Sequence, residues 1–234
     1  MATSCEVSPS DDRPVPVPRF SGHHAIQHSY SGSHTLALAL KRLLDVVGSL
    51  ALFIVAAPFF PLIALAIRLD SPGRIFFRPR VIGYKGREFL AYKFRSMQAN
   101  AFERLLQDPS LLREYKENLK IADDPRITRV GRLLRRTSLD ELPQLINVLR
   151  GEMSLVGPRF LSEIELAKFG ECRDKILSVK PGMAGLWVAS GRQTLSFERR
   201  VALELQYVND WSLWLDAKCF FKTILIAVRM VGAN

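Results

Sequence analysis

Two adjacent carboxylates, Asp140 and Glu141, stand within the segment Arg135-Arg-Thr-Ser-Leu-Asp-Glu-Leu-Pro-Gln144. Ser138 and Glu141 have the spacing of a capping box, with Asp140 in the first helical turn. One reading is therefore a helix start, where acidic residues contribute ~0.3–1 kcal/mol each. A chemical reading uses the same geometry. A carboxylate at a helix N-terminus is ionised and rigid, and Arg135, Arg136 and free N–H groups attract a phosphate beside it. One carboxylate could attack phosphorus while the other helps hold a divalent cation. The cation offsets the repulsion between a carboxylate and a diphosphate. All four histidines, His23, His24, His28 and His34, lie before residue 35. Acid–base or nucleophilic work in the remainder falls to other groups, carboxylates first.

Arg80, Lys93, Arg95, Arg159 and Arg192 each sit beside a turn or strand end and are candidates for a phosphate cradle. Taken singly, each also reads as a solvated surface charge. The series Arg126, Arg129, Arg132, Arg135 and Arg136 has helical spacing and reads as a stripe facing solvent or lipid headgroups. There is no Walker loop, dinucleotide-binding glycine pattern, or zinc-finger or nucleic-acid motif. Cys5, Cys172 and Cys219 lack metal-ligand spacing.

These residues need elements to position them. The 234-residue chain carries a formal charge of +10, which suits a polyanionic partner. Residues 1–35, rich in Ser, Pro and His, read as a disordered tail, and 36–234 as one domain. No cleaved secretory signal is expected, since the early apolar core of one is missing. Val46 to Ile67 is uncharged, about 22 residues and long enough for a hydrocarbon core of ~30 Å. Pro58 and Pro61 interrupt it, and both flanks are basic: Lys41 and Arg42 before, Arg68, Arg74, Arg78 and Arg80 after. That pattern predicts a helix over about 41–69 that enters a membrane, hinges at Pro58 and returns to the same face. A spanning helix and a buried core helix are the alternatives. Ile75-Phe-Phe77 and Glu88–Tyr92 read as strands around a hairpin turn at Gly83–Gly86. Helices are expected over 99–120, broken near Pro109, then Ile127–Leu149 with Gly151 as C-cap, Glu163–Leu177, Phe197–Asn209 and Leu213–Met230. The last carries Trp214, Lys218, Lys222 and Arg229 and reads either as an interfacial helix or as core packing. The fold class is α+β, mostly helical.

Several stretches together carry a family resemblance. They are Lys41-Arg-Leu-Leu-Asp45, Asp70-Ser-Pro-Gly73, Tyr92-Lys-Phe-Arg-Ser-Met97, Ser138-Leu-Asp-Glu-Leu-Pro-Gln-Leu145, Arg150-Gly-Glu-Met-Ser-Leu-Val-Gly-Pro-Arg159, Lys180-Pro-Gly182 with Gly185-Leu-Trp187, and Ser190-Gly-Arg192. In this order and spacing the chain resembles the bacterial sugar transferases, the monotopic phosphoglycosyl transferases, over Lys41 to about Val231. Its short form is similar to the ExoY-type exopolysaccharide starter transferases. The resemblance implies a monotopic enzyme with a re-entrant N-terminal helix hairpin, amphipathic interfacial helices, a small β-hairpin and a cytoplasmic catalytic part from about residue 70.

It further implies transfer of a hexose-1-phosphate from a UDP-sugar, glucose or galactose, to undecaprenyl phosphate. Asp140 would be the nucleophile that forms an aspartyl-phosphosugar, and Glu141 its partner linked to Mg2+. Arg80, Lys93, Arg95, Arg159 and Arg192 would surround the donor. The expected setting is the cytoplasmic face of a bacterial inner membrane, in contact with its lipid. A homo-oligomer and downstream glycosyltransferases are candidate partners, and nucleic acid is not expected. Two positions depart from the family pattern. Ala57-Pro58 stands where a Ser-Pro pair is usual, so position 57 has no hydroxyl to bond back into the helix. Pro158-Arg-Phe160 stands for Pro-Arg-Pro, which would loosen the backbone around Arg159 or alter donor preference. A non-catalytic scaffold with this fold is a second functional class. A nucleic-acid binder is a third, and it leaves the 46–67 run without a role.

Overall fold

The computed structural model describes residues 32–118, 121, 123–191 and 195–229. The tail expected over 1–35 falls outside these residues except at its end, where a helix begins at Gly32. Helix α1 (Gly32–Ala56) and helix α2 (Phe59–Asp70) are separated at Ala57-Pro58 and bent by 60°. Pro58 supplies no N–H and its ring blocks straight continuation. The break nevertheless satisfies its neighbours. The Ala57 N–H donates to Phe53 O at 2.8 Å, and the Phe60 N–H to Ala57 O at 3.2 Å. A serine hydroxyl at position 57 is not needed for the bend. The bend is 60°, short of an antiparallel hairpin. Among the described residues no single helix is long and apolar enough to cross a membrane, and the bent pair passes that test only as a pair.

Both ends of the bent pair are tied to one body. Lys41 Nζ donates to Val156 O at 2.9 Å and to Asp216 at 2.6 Å. Arg42 donates to Val148 O and Leu149 O, carbonyls at the end of a later helix. Asp45 Oδ1 accepts from Ser154 Oγ and from the Leu155 N–H. At the far end Asp70 accepts from the Val130 N–H at 2.9 Å, and Arg95 donates to Ser71 O and Pro72 O. The outward faces expose Leu43, Val47, Ile54, Phe59, Leu62 and Leu69. Ile63 and Ile67 point inward and pack with Phe94 and Leu134.

Strands β1 (Phe76–Phe77), β2 (Arg80–Ile82), β3 (Glu88–Leu90) and β4 (Lys93–Phe94) follow. β2 and β3 form the hairpin, in register Arg80↔Leu90, around a tight turn in which Lys85 takes φ 55°. β1 pairs instead with β4, Phe77 against Lys93. Helices α3 (Ala101–Gln107) and α4 (Pro109–Asn118) break at Pro109 as expected.

The helix expected over Ile127–Leu149 is three pieces: α5 (Arg129–Thr137), a 3-10 turn (Leu139–Gln144) and α6 (Leu145–Arg150). Ser138 causes the break by adopting a left-handed φ of 60°. A non-glycine residue there turns the chain out of the helix. Gly151, at φ 80°, ends α6 as the sequence predicts. α5 crosses close to the strand exit: a Cβ on Gly131 would sit 1.9 Å from Ser96 O.

β5 (Ser154–Val156) pairs in parallel with β6 (Gly182–Ala184). A Cβ on Gly182 would lie 2.0 Å from Gly157 N, so only glycine permits this approach. The helix expected over Glu163–Leu177 is also broken, into α7 (Glu163–Ala167) and α8 (Arg173–Ile176), with Gly170 at φ 52° between them. α9 (Leu186–Ala189), α10 (Phe197–Asn209) and α11 (Leu213–Arg229) complete the chain. α10 matches its expected bounds and starts where Ser196 Oγ accepts from the Arg199 N–H. α11 exposes Trp214, Phe221, Ile224 and Leu225 while Cys219 is buried.

Candidate active site

The 3-10 turn carries the acidic pair. Leu139 packs into the cluster of Ile63, Ile67, Phe94 and Leu134. Leu142 packs into the central cluster around Leu145, Val148 and Met153. Asp140 and Glu141 therefore lie on the seam between two cores, and each is only 8% exposed. The capping box does not form. The Glu141 N–H donates to the Ser138 carbonyl at 3.1 Å, and the left-handed Ser138 makes no side-chain cap bond. The Glu141 side chain goes elsewhere.

Glu141 Oε1 accepts from Lys93 Nζ and from Arg159 Nη2, both at 2.9 Å. Burial alone would raise its pKa, but the two cations outweigh it and hold the carboxyl well below the usual range. Asp140 is the opposite case. Burial, and then the charge of Glu141, push its pKa up to about 6, against the pull of Lys93, Arg135 and Arg159. Among the described residues no group hydrogen-bonds its carboxylate. The pair is thus divided into a locked, permanently ionised partner and a free carboxylate facing positive potential.

Three chain segments converge to make this. Lys93 opens β4, and the preceding Tyr92 N–H donates to Asn147 Oδ1 at 3.0 Å. Asn147, fully buried on α6, also donates to Leu90 O and Glu152, so it fixes the hairpin exit against the turn that carries the acidic pair. Arg159 follows β5. Its N–H donates to Glu204 Oε1 at 3.1 Å. Its guanidinium lies 5.8 Å from the Trp187 ring, whose centre is 4.8 Å from Arg200 Cζ. Arg135 completes the positive wall, with Nε donating to Ser96 Oγ at 2.9 Å.

Of the candidate cradle residues, Lys93 and Arg159 reach the acidic pair. Arg80 is exposed and pairs across the hairpin with Glu88 at 3.5 Å. Arg95 is buried against the Ser71-Pro72 turn. Arg192 lies outside the described residues. The arginine series is not a uniform solvated stripe. Arg126 is buried in an ion pair with Asp124 at 2.7 Å, and Arg135 is half-buried beside Asp140, while Arg129, Arg132 and Arg136 are exposed.

Two residues outside the candidate set shape the site. The buried Phe160 ring lies 5.2 Å from Lys93 Nζ and 5.0 Å from Arg159 Cζ, under both cations that hold Glu141. Its departure from proline was the available signal, and the result is a packed site, not a loosened one. Glu204 is buried, with Oε2 unpaired, and burial pushes its pKa up to about 7. Its place on the apolar face of α10, with Val201 and Leu205, was the signal for it.

The oxygens of Asp140 and Oε2 of Glu141 are hard donors with no hydrogen-bond partner, which fits a magnesium ion. Among the described residues no third acidic, cysteine or histidine ligand joins them. Such an ion would complete its shell from phosphate and water, as Mg2+ commonly does.

The family model for bacterial sugar transferases matches residues 36–230. Over 198 residues the chain is 45% identical to a UDP-galactose-lipid carrier transferase of Erwinia amylovora, covering 83% of this chain and 41% of that one. It is 43% identical over 198 residues to an undecaprenyl-phosphate galactose phosphotransferase of Salmonella typhimurium, covering 83% and 41%. It is 42% identical over 189 residues to the exopolysaccharide production protein ExoY of Sinorhizobium fredii, covering 79% and 83%. The chain thus spans about two-fifths of the first two relatives and most of the third.

Proposed function

Because the chain belongs to the bacterial sugar transferase family, we propose that it transfers a hexose-1-phosphate from UDP-galactose or UDP-glucose to undecaprenyl phosphate and so initiates a surface glycan such as an exopolysaccharide. The names of its relatives support the donor and acceptor classes. The observation that carries the reading is the divided acidic pair: Glu141 locked by Lys93 and Arg159, Asp140 buried and unbonded.

In this reading Asp140 attacks the β-phosphorus of the UDP-sugar. An Asp140 Oδ–P bond forms, the bridging P–O bond breaks, and UMP leaves with the bond's electron pair. An oxygen of undecaprenyl phosphate then attacks the same phosphorus. The Asp140–P bond breaks, the carboxylate is regenerated, and undecaprenyl-diphosphate hexose is released. Lys93, Arg135 and Arg159 stabilise the charge on the phosphoryl oxygens. Asp140 and Glu141 would hold a magnesium ion, which when bound offsets the charge of the diphosphate. Burial excludes water that would hydrolyse the aspartyl intermediate.

The setting is the cytoplasmic face of a bacterial inner membrane. The bent α1–α2 pair enters one leaflet, hinged at Pro58, and α11 lies in the interface. The exposed apolar faces of all three helices support this, as does the fastening of both ends of the pair to one body. The test is incubation of membranes holding the full chain with labelled UDP-sugars, Mg2+ and undecaprenyl phosphate. Organic-soluble label and UMP are expected. No label with any common donor, or full activity in Asp140→Asn, overturns the reading.

A further inference from the structure

A groove of about 990 Å³ runs between α2 and β1 and ends at the catalytic turn. Phe53 and Phe60, on either side of the α1–α2 break, form one wall with Leu65. Phe76 and Tyr92 form the other, and Pro143 and Ile146, just past the acidic pair, close the end. The volume is at the upper end of small-molecule sites, ~300–1,000 Å³. The lining is overwhelmingly apolar, and Leu65 and Phe76 are also exposed, so the trough is continuous with the bare apolar face of α2.

Its rim is cationic. Arg68, Arg74 and Arg78 line it. Arg68 is spent on Gly73 O at 2.8 Å. Asp70, the nearby acid in sequence, is engaged by the Val130 N–H. Among the described residues Arg74 and Arg78 form no ion pair. Arg78 lies 5.9 Å from the centre of the Tyr92 ring, and Arg150 covers the same ring at 5.2 Å. Tyr92 is in turn bonded to Lys93, which holds Glu141. A single apolar trough with uncompensated guanidinium groups at its edge complements one kind of molecule: a single-chain lipid bearing a phosphate.

We propose that this groove is the acceptor site, with the prenyl chain in the trough and its phosphate on Arg74 and Arg78, so that the acceptor approaches Asp140 from the α2 side, away from Arg159. The inference rests on the transfer reaction proposed above and adds where the second substrate binds. It separates two half-reactions on the protein surface. Donor cleavage uses Asp140, Lys93 and Arg159, and does not need the groove. Transfer to lipid needs it.

The test measures both halves with the purified full chain in detergent. The first is stoichiometric UMP release from the UDP-sugar without acceptor. The second is product formation over a titration of undecaprenyl phosphate. Leu65→Trp fills the trough, and a double variant, Arg74→Ala with Arg78→Ala, removes the rim charge. Each is expected to keep UMP release within twofold of the parent, which also reports folding, while the KM for undecaprenyl phosphate rises tenfold or more. Loss of both halves together, or an unchanged KM, overturns the proposal. So does weaker binding to phosphatidylglycerol vesicles with KM unchanged, because the groove would then hold bulk lipid. Absence of UMP release in the parent chain instead overturns the proposed function.

Discussion

Arg159 donates through Nη2 to the same Glu141 oxygen that Lys93 Nζ reaches, each at 2.9 Å. Glu141 Oε1 is saturated by two cations and is a poor nucleophile. The adjacent Asp140 is left without a hydrogen-bond partner among the described residues, as the proposed nucleophile requires. The division follows from the 3-10 turn: successive residues there point differently, so one carboxylate faces the two cations while the other stays unbonded.

Replacing Glu141 by Gln leaves Lys93 and Arg159 in place and removes the neighbouring charge that helps raise Asp140. The titration of Asp140, followed by NMR in metal-free buffer, is expected to move to lower pH. Arg159→Ala acts in the opposite direction, since it deprives both carboxylates of a cation. Removing one partner of a buried pair costs on the order of 3–5 kcal/mol. Retention of Lys93 places the expected loss at the lower end. A thermal melt of Arg159→Ala indistinguishable from the parent would count against the pair as described.

Asp140 also carries a stability signature. Its folded pKa, about 6, lies above the unfolded value near 3.8. Between those values the folded state binds more protons at this group, so the contribution of Asp140 to stability is greatest below about pH 4 and falls as pH rises through about 6. That difference in pKa corresponds to roughly 3 kcal/mol. Asp140→Asn removes this burden together with the proposed nucleophile. In EDTA its Tm is expected to match the parent at pH 4 and exceed it by several degrees at pH 8. Equal melting temperatures at pH 8 would contradict the buried, unbonded placement of Asp140.

Phe160 is expected to matter through its ring. Two cations lie over it within 5.2 Å of its centre, at about 1 kcal/mol each. Phe160→Leu should lower transferase activity roughly tenfold, about 1.4 kcal/mol in barrier. Phe160→Tyr, which keeps the ring, should retain most of it. Comparable losses in both variants would mean that volume, not the π face, is what the site uses.

Much of this site was legible in sequence, and the exceptions have physical causes. Asp140, Glu141, Lys93 and Arg159 stand in segments whose residue types already suggest phosphate chemistry, and the fold brings them together. The hairpin turn with its second strand and α10 were legible because glycines bound one and Ser196 caps the other, whereas the strand expected at Ile75–Phe77 pairs with β4 and the first arm of the hairpin is Arg80–Ile82. Periodicity cannot see a left-handed Ser138 or Gly170, because a single residue outside the helical region leaves the apolar spacing on either side intact. Arg135 reads as solvated because its partner Ser96, 39 residues away, meets it only through tertiary packing; Arg126 pairs with Asp124, two residues before it, and only the burial of that pair depends on the fold. Arg80 and Arg95 were plausible by position, yet one pairs across the hairpin and the other is consumed by turn carbonyls.

The anchoring of α1 and α2 makes the topology testable. Lys41 and Asp45 fasten α1 to β5 and α11, and Asp70 fastens α2 to the start of α5. With both ends held by one body, the proposed single-leaflet insertion requires them to face the same compartment. A spanning helix would separate them. Leu36 and Leu69 are exposed near the two ends, at 71% and 79%, and Leu62 is exposed just after the break. In inside-out vesicles an impermeant thiol reagent should label Leu36→Cys and Leu69→Cys above the level of the parent chain, and leave Leu62→Cys protected in the acyl region. In right-side-out vesicles none of the three should react. Labelling of Leu36→Cys from the side opposite to Leu69→Cys would mean that the pair crosses the bilayer, and the contacts of Lys41 and Asp45 with the body could not then coexist with the membrane placement.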